Sequence, residues 1–174
     1  MSKDRKLILV MNGKGGVGKD TLCDGLRASF DVRNVSSITP IKEIAAQFGW
    51  NGEKDERSRR FLADLKKAFS DYNDLPTQYL LAQAKEFSQT EEDILCCHIR
   101  EPDQIARFVK QVSLPCLTVL VRRATVDGTE AFGNRADDSV EDYAYDLIFD
   151  NDAPVAESCA SFCRCIREIF ERHA

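Results

Sequence analysis

Residues 7–21 read Leu-Ile-Leu-Val-Met-Asn-Gly-Lys-Gly-Gly-Val-Gly-Lys-Asp-Thr, and no other stretch restricts the possible folds so strongly. The unbroken apolar run Leu7–Met11 is too short for a helix. It predicts a strand buried on both faces, as in a parallel sheet. Gly13, Gly15, Gly16 and Gly18 follow immediately, then Lys19 and a helix-competent segment containing Leu22 and Leu26. Glycines let the backbone curl so that several N–H groups converge on one point, and a helix beginning just behind adds partial positive charge there. Such a loop is built to hold an anion, phosphate above all.

Strand, glycine loop, lysine and helix together make the Walker A arrangement. Its usual form places Ser or Thr directly after the lysine; here Asp20 stands there and Thr21 comes next. A carboxylate remains a good ligand for Mg²⁺.

The rest of the chain alternates apolar strand-like runs with helical patterns. Strands are expected near Val35–Ile38, Asp93–Ile99, Cys116–Val121 and Leu147–Phe149. Helices are expected from Lys19 to about Phe30, from Pro40 to Phe48, around Phe61–Tyr72, from Pro76 through Phe87, from Pro102, and after Pro154 to the C-terminus. Ile41, Ile44, Ala45 and Phe48 mark one apolar helical face, and Val155, Cys159, Phe162, Cys163, Ile166 and Phe170 another. This order predicts an α/β fold: a parallel five-stranded sheet flanked by helices in three layers, within a single domain over 1–174, with ligands beyond the carboxyl ends of the strands. Residues 123–140 form a long polar loop, the kind that in compact domains usually serves function.

Net charge is −5, which argues against duplex nucleic acid as a partner. With neither a membrane-length apolar run nor a signal peptide, a cytoplasmic location is expected. The seven cysteines are expected as reduced thiols, mostly in the core. Cys159, Cys163 and Cys165, with His173 beyond, come nearest to ligand spacing, but Cys165 points away from the other two on a helix. The charged run 50–74, with Arg57, Arg59, Arg60, Lys66 and Lys67, reads mainly as a solvated helix face.

Gly-Lys-Asp-Thr at 18–21 resembles the loop of the deoxynucleoside monophosphate kinase-like branch of the P-loop kinases. Weaker likenesses follow in order: Ser37-Ile38-Thr39-Pro40-Ile41-Lys42-Glu43-Ile44 with Phe48-Gly49-Trp50, His98-Ile99-Arg100-Glu101, Val121-Arg122-Arg123 with Asn134-Arg135, and Tyr145 to Asn151. The resemblance implies the three-layer P-loop kinase fold with a short lid-like loop. It also implies Mg²⁺-assisted transfer of a phosphoryl group from ATP to a nucleoside monophosphate or another small phosphorylated acceptor. Gly13, Lys14, Gly15, Gly16, Val17, Gly18, Lys19, Asp20 and Thr21 would hold the triphosphate, and Asn151 would lie by the adenine. Asp20, Thr21 and Glu101 would serve the metal; Lys42, Arg60 and Arg100 the acceptor. Lys19, Arg122, Arg123 and Arg135 would neutralise charge on the moving phosphoryl group. The family tends to have Asp where this chain has His98, with Glu101 as a substitute acid. Two other readings stand beside the kinase. One is a non-catalytic nucleotide-binding protein. The other is an ATPase switch of the partition and septum-site type, in which Lys14 acts across a dimer.

Overall fold

The computed structural model describes residues 5–124 and 139–172. Its centre is the strand β1, Leu7–Asn12, whose six residues are all buried. Leu7, Leu9 and Met11 join one hydrophobic cluster and Ile8 and Val10 another, because successive strand residues point to opposite faces. Full burial of such side chains stabilises the fold by roughly 1.5–3 kcal/mol each, so this one strand commits the chain to cover both faces.

The cover comes from α1 (Lys19–Leu26), α2 (Thr39–Gln47), α3 (Glu56–Asn73), α4 (Leu75–Phe87), α5 (Pro102–Gln111) and α6 (Val155–Arg172), interleaved with β2 (Val32–Ser36), β3 (Ile94–His98), β4 (Cys116–Arg122) and β5 (Leu147–Asp150). The five strands are all parallel in the order β2-β3-β1-β4-β5. Residues of α1 and α6 pack on one face, and those of α4 and α5 on the other. The chain leaves β1 towards the first face and β3 towards the second, so a crevice opens between their carboxyl ends. The three-layer arrangement expected from the sequence is the one observed. Among the described residues no helix is long and apolar enough to cross a membrane.

Several local expectations need correction. Helix α1 stops at Leu26, short of Phe30, and the turn that follows lets Phe30 pack at a tilt against Phe170, ring centroids 5.2 Å apart. Strand β2 begins at Val32 rather than Val35, since Val32 is buried against the sheet and pairs with Ile94. Phe48 is 85% exposed: the helix ends before it, Gly49 turns the chain at φ 102°, and Trp50 packs beneath α2 and α3 instead. Val155 is also exposed, in the first turn of α6. The cysteines behave as expected. All seven are free; burial pushes the Cys97 thiol up and that of Cys116 to about 12. Among the described residues no cluster of His, Cys, Asp or Glu is placed to hold a metal.

Helices α1 and α6 meet at Gly25, where an added Cβ would lie 2.8 Å from Cys159 Cβ and 2.9 Å from its Sγ. Gly25→Ala should therefore force the helices apart and cost about 1–3 kcal/mol, read as a lower urea midpoint at unchanged m-value. An unaltered midpoint would show that this contact yields freely.

Candidate functional site

The glycine loop leaves β1 and enters α1 through two left-handed residues, Gly16 (φ 82°) and Gly18 (φ 92°). Gly13 serves a different need. A Cβ there would sit 2.3 Å from the Val121 carbonyl oxygen, so only glycine lets the loop lie against the end of β4. At Gly15 and Gly16 a Cβ would meet nothing within 4 Å, leaving an open hollow. Gly18 is the N-cap of α1 and no side chain caps that end, so first-turn N–H groups face the hollow. Lys19 Nζ donates to the carbonyls of Gly13 (2.5 Å) and Lys14 (2.9 Å), which arches the ammonium back over the loop. Glycine cradle, helix dipole and ammonium converge, a donor set matched to a chain of phosphates.

Asp20 and Thr21 diverge on the first turn of α1. Asp20 is exposed, with Oδ1 3.5 Å from His98 Nε2 at the end of β3. Nε2 also lies 2.7 Å from Asn34 Oδ1 and 3.8 Å from Cys23 Sγ. At the end of the third strand, where the resemblance expects a carboxylate, His98 presents its imidazole to the carboxylate of Asp20 on α1. An exposed carboxylate next to a phosphate cradle fits Mg²⁺, which is commonly held by one or two carboxylates together with phosphates and water. Thr21 instead lines a cleft on the α6 side with Gly18, Arg123, Asn151, Ala153 and Cys159.

Asn151 and Asn12 brace the loop from behind. Asn151 is buried, and its Nδ2 donates to the Val17 carbonyl at 2.7 Å. Its side-chain amide therefore holds the loop at the back of the cleft. Asn12, fully buried, was not anticipated as a site residue. Its Oδ1 accepts the Gly13 N–H at 2.8 Å, and its Nδ2 donates to the Arg100 carbonyl at 2.9 Å and to the Tyr145 hydroxyl at 2.7 Å. Tyr145 in turn donates to the Val140 carbonyl at 2.6 Å; burial raises its hydroxyl to about 12. The only signal for Asn12 in the sequence is an amide ending an apolar run.

Arg122 pairs with Glu141 at 3.1 Å, and its Nε is buried without a hydrogen-bond partner among the described residues. Arg123 borders the cleft, while Arg135 lies outside the described residues.

On the opposite side, Arg100 and Glu101 follow β3 directly. Glu101 Oε2 lies 2.5 Å from the ammonium of Lys66, which also donates to Ser37 Oγ at 3.1 Å. Lys66 is the exception within 50–74, a stretch read mainly as a solvated face. Lys66 is only 8% exposed, and burial lowers its pKa against the opposing pull of Glu101. Arg57, Arg59, Arg60 and, on α2, Lys42 do point to solvent. Lys66 differs because positions 58, 62 and 66 form the inward stripe of α3, and at the third of them Glu101 offers a partner.

No protein-family model matches this chain, and no curated protein matches it in sequence. Solved structures do match. A protein of Chloroflexus aurantiacus j-10-fl described as a candidate kinase aligns with a TM-score of 0.56 at 12% identity, over 95% of this chain and 98% of its own. A shikimate kinase of Aquifex aeolicus vf5 (TM-score 0.49, 11% identity, 94% and 96% coverage) and a gluconokinase of Sinorhizobium meliloti 1021 (0.47, 10%, 100% and 100%) are more distant. The fold is that of the P-loop kinases.

Removing the Asn151 amide leaves the buried Val17 carbonyl without its donor. Asn151→Ala should cost about 1–3 kcal/mol in urea unfolding. Asn151→Asp, which sets oxygen against oxygen, should cost at least as much. Wild-type stability in both variants would rule out the brace.

Proposed function

We propose that this protein is a P-loop kinase, transferring the γ-phosphoryl group of ATP to a small acceptor with the help of Mg²⁺. The observation that carries this reading is the ammonium of Lys19 arched over the loop carbonyls at the uncapped start of α1. In that place it would meet the β- and γ-phosphates, with the loop N–H groups there to take their oxygens. Mg²⁺, when bound, neutralises charge on those phosphates, and Asp20 is the side chain that would hold it. Thr21 and Arg123 face the cleft behind the loop, the place for the nucleoside of ATP beside Asn151. The acceptor would enter between α3 and the end of β3, where Arg100 is the residue for an acceptor phosphate. A nucleoside monophosphate or another small phosphorylated molecule is the acceptor that the resemblance implies.

Asp20 gives the reading a sharp test. A carboxylate beside a triphosphate repels it unless a cation lies between them. ATP affinity should therefore rise on adding Mg²⁺ to the wild type. In Asp20→Asn most of that rise should vanish, while metal-free ATP binds as well as before or better. Calorimetry in EDTA and in excess Mg²⁺ measures both. An equal Mg²⁺ response in wild type and variant would remove Asp20 from the metal and favour a nucleotide-binding protein without catalysis.

Lys19→Ala should lose ATP binding by at least about tenfold, since a charge-assisted contact contributes about 1.5–3 kcal/mol. Its circular dichroism should match the wild type, because the Gly13 and Lys14 carbonyls that Lys19 meets belong to the loop and not to the core. Unchanged affinity in the folded variant would contradict the phosphate-loop assignment.

A further inference from the structure

The outer face of α3 carries an exposed apolar line. Phe61 and Tyr72 are 45% and 86% exposed, and Ala68 between them is exposed as well. By the helical repeat the three fall within about 40° of one another around the axis. Half-buried Leu65 joins them, which gives steps of four, three and four residues over about 17 Å, the spacing of a helix-pairing seam. An isolated exposed aromatic is ordinary on a protein surface, whereas apolar residues aligned along one helix mark a contact. Beside this line runs a second one, of charge: Arg60, Asp64, Lys67 and Asp71, all exposed. Their signs alternate at the same steps, and Lys67 already pairs with Asp71 along the helix. The opposite flank of the apolar line turns inward, where Leu62 and Phe69 pack with Ile41 and Ala45 of α2.

We propose that this face of α3 is an interface with a second copy of the chain, in which two antiparallel α3 helices pair about a two-fold axis through Phe61, Leu65, Ala68 and Tyr72. The charged line selects both the occupant and its direction. In a parallel pair it would meet the opposite flank of the partner helix, the side that carries Leu62 and Phe69. In an antiparallel pair about a two-fold axis it meets its own copy in reverse order. Arg60 of one copy then faces Asp71 of the other, and Asp64 faces Lys67. By symmetry each pair occurs twice, so every contact joins opposite charges. The apolar seam supplies the attraction, and the charges fix register and orientation. One helix pair of this length is smaller than a standard interface, so the association is weak, in the micromolar-to-millimolar range. Lys66 lies on the other side of the helix, against Glu101, and the pairing leaves that contact in place.

Sedimentation equilibrium of the full chain tests this without any ligand. Between about 1 µM and about 1 mM the mass should rise from 19.6 kDa towards twice that value. Tyr72→Glu should keep its circular dichroism and stay monomeric. Arg60→Asp alone and Asp71→Arg alone should each weaken association about tenfold, because the symmetry repeats every change. The double variant restores opposite charges across the axis and should regain most of the wild-type affinity. Alternating charges also support a single helix, but there the two changes would only add; rescue requires a partner across the two-fold axis. All three positions are exposed, and the charge variants carry the test should Tyr72→Glu fail to fold. A wild type that stays at 19.6 kDa throughout would overturn the proposal. So would a dimer that Tyr72→Glu leaves intact, or a double variant no tighter than the single ones.

Discussion

The arrangement of the site depends on the side-chain amide of Asn12. One buried group holds the first N–H of the phosphate loop, the carbonyl that precedes Glu101, and the hydroxyl of Tyr145. An amide can do this because it presents an acceptor and two donors in one plane, and in the dry end of a sheet each unmade bond would cost about 1–3 kcal/mol. Three segments far apart in the chain, after β1, after β3 and before β5, therefore share one position. The parallel sheet brings their ends close, and the amide sets their relative placement.

Charge around this joint is divided between two sides. Towards α6 the loop is backed by a neutral hydrogen bond from Asn151, and Arg123 borders the cleft. Towards β3 lie two contacts of different character. Asp20 with His98 is exposed on the carboxylate side and separated by 3.5 Å, a loose pairing that a cation can displace. Lys66 with Glu101 is close and largely buried on the lysine side, so the carboxylate has little freedom to move.

The backbone scaffold of the site was legible because it is written in local patterns. A buried five-residue run, four glycines and a lysine leave the backbone few choices, and the glycines are where left-handed φ and close approach are needed. The side-chain contacts at the strand ends were less legible. Lys66 and Lys67 are neighbours of the same type on one helix, yet one is buried in an ion pair and the other pairs with Asp71 at the surface. Phe48 shows the converse: its spacing fits the apolar face of α2, but the helix ends one residue too early to place it there.

By itself the sequence determined the strand–loop–helix unit, the parallel α/β architecture and the candidacy of Lys19 and Asp20, since each follows from contacts within a few residues or from periodicity. Only the tertiary structure decided which distant groups meet: His98 with Asp20, Asn151 with Val17, Asn12 with Arg100 and Tyr145, Lys66 with Glu101 and Ser37. Those pairings join residues between 29 and 134 positions apart, and they depend on strand order and on the angular position of each residue around its helix. A polar residue is turned inward when the fold sets a complementary group opposite it, and that condition is met only after the strands have been arranged side by side.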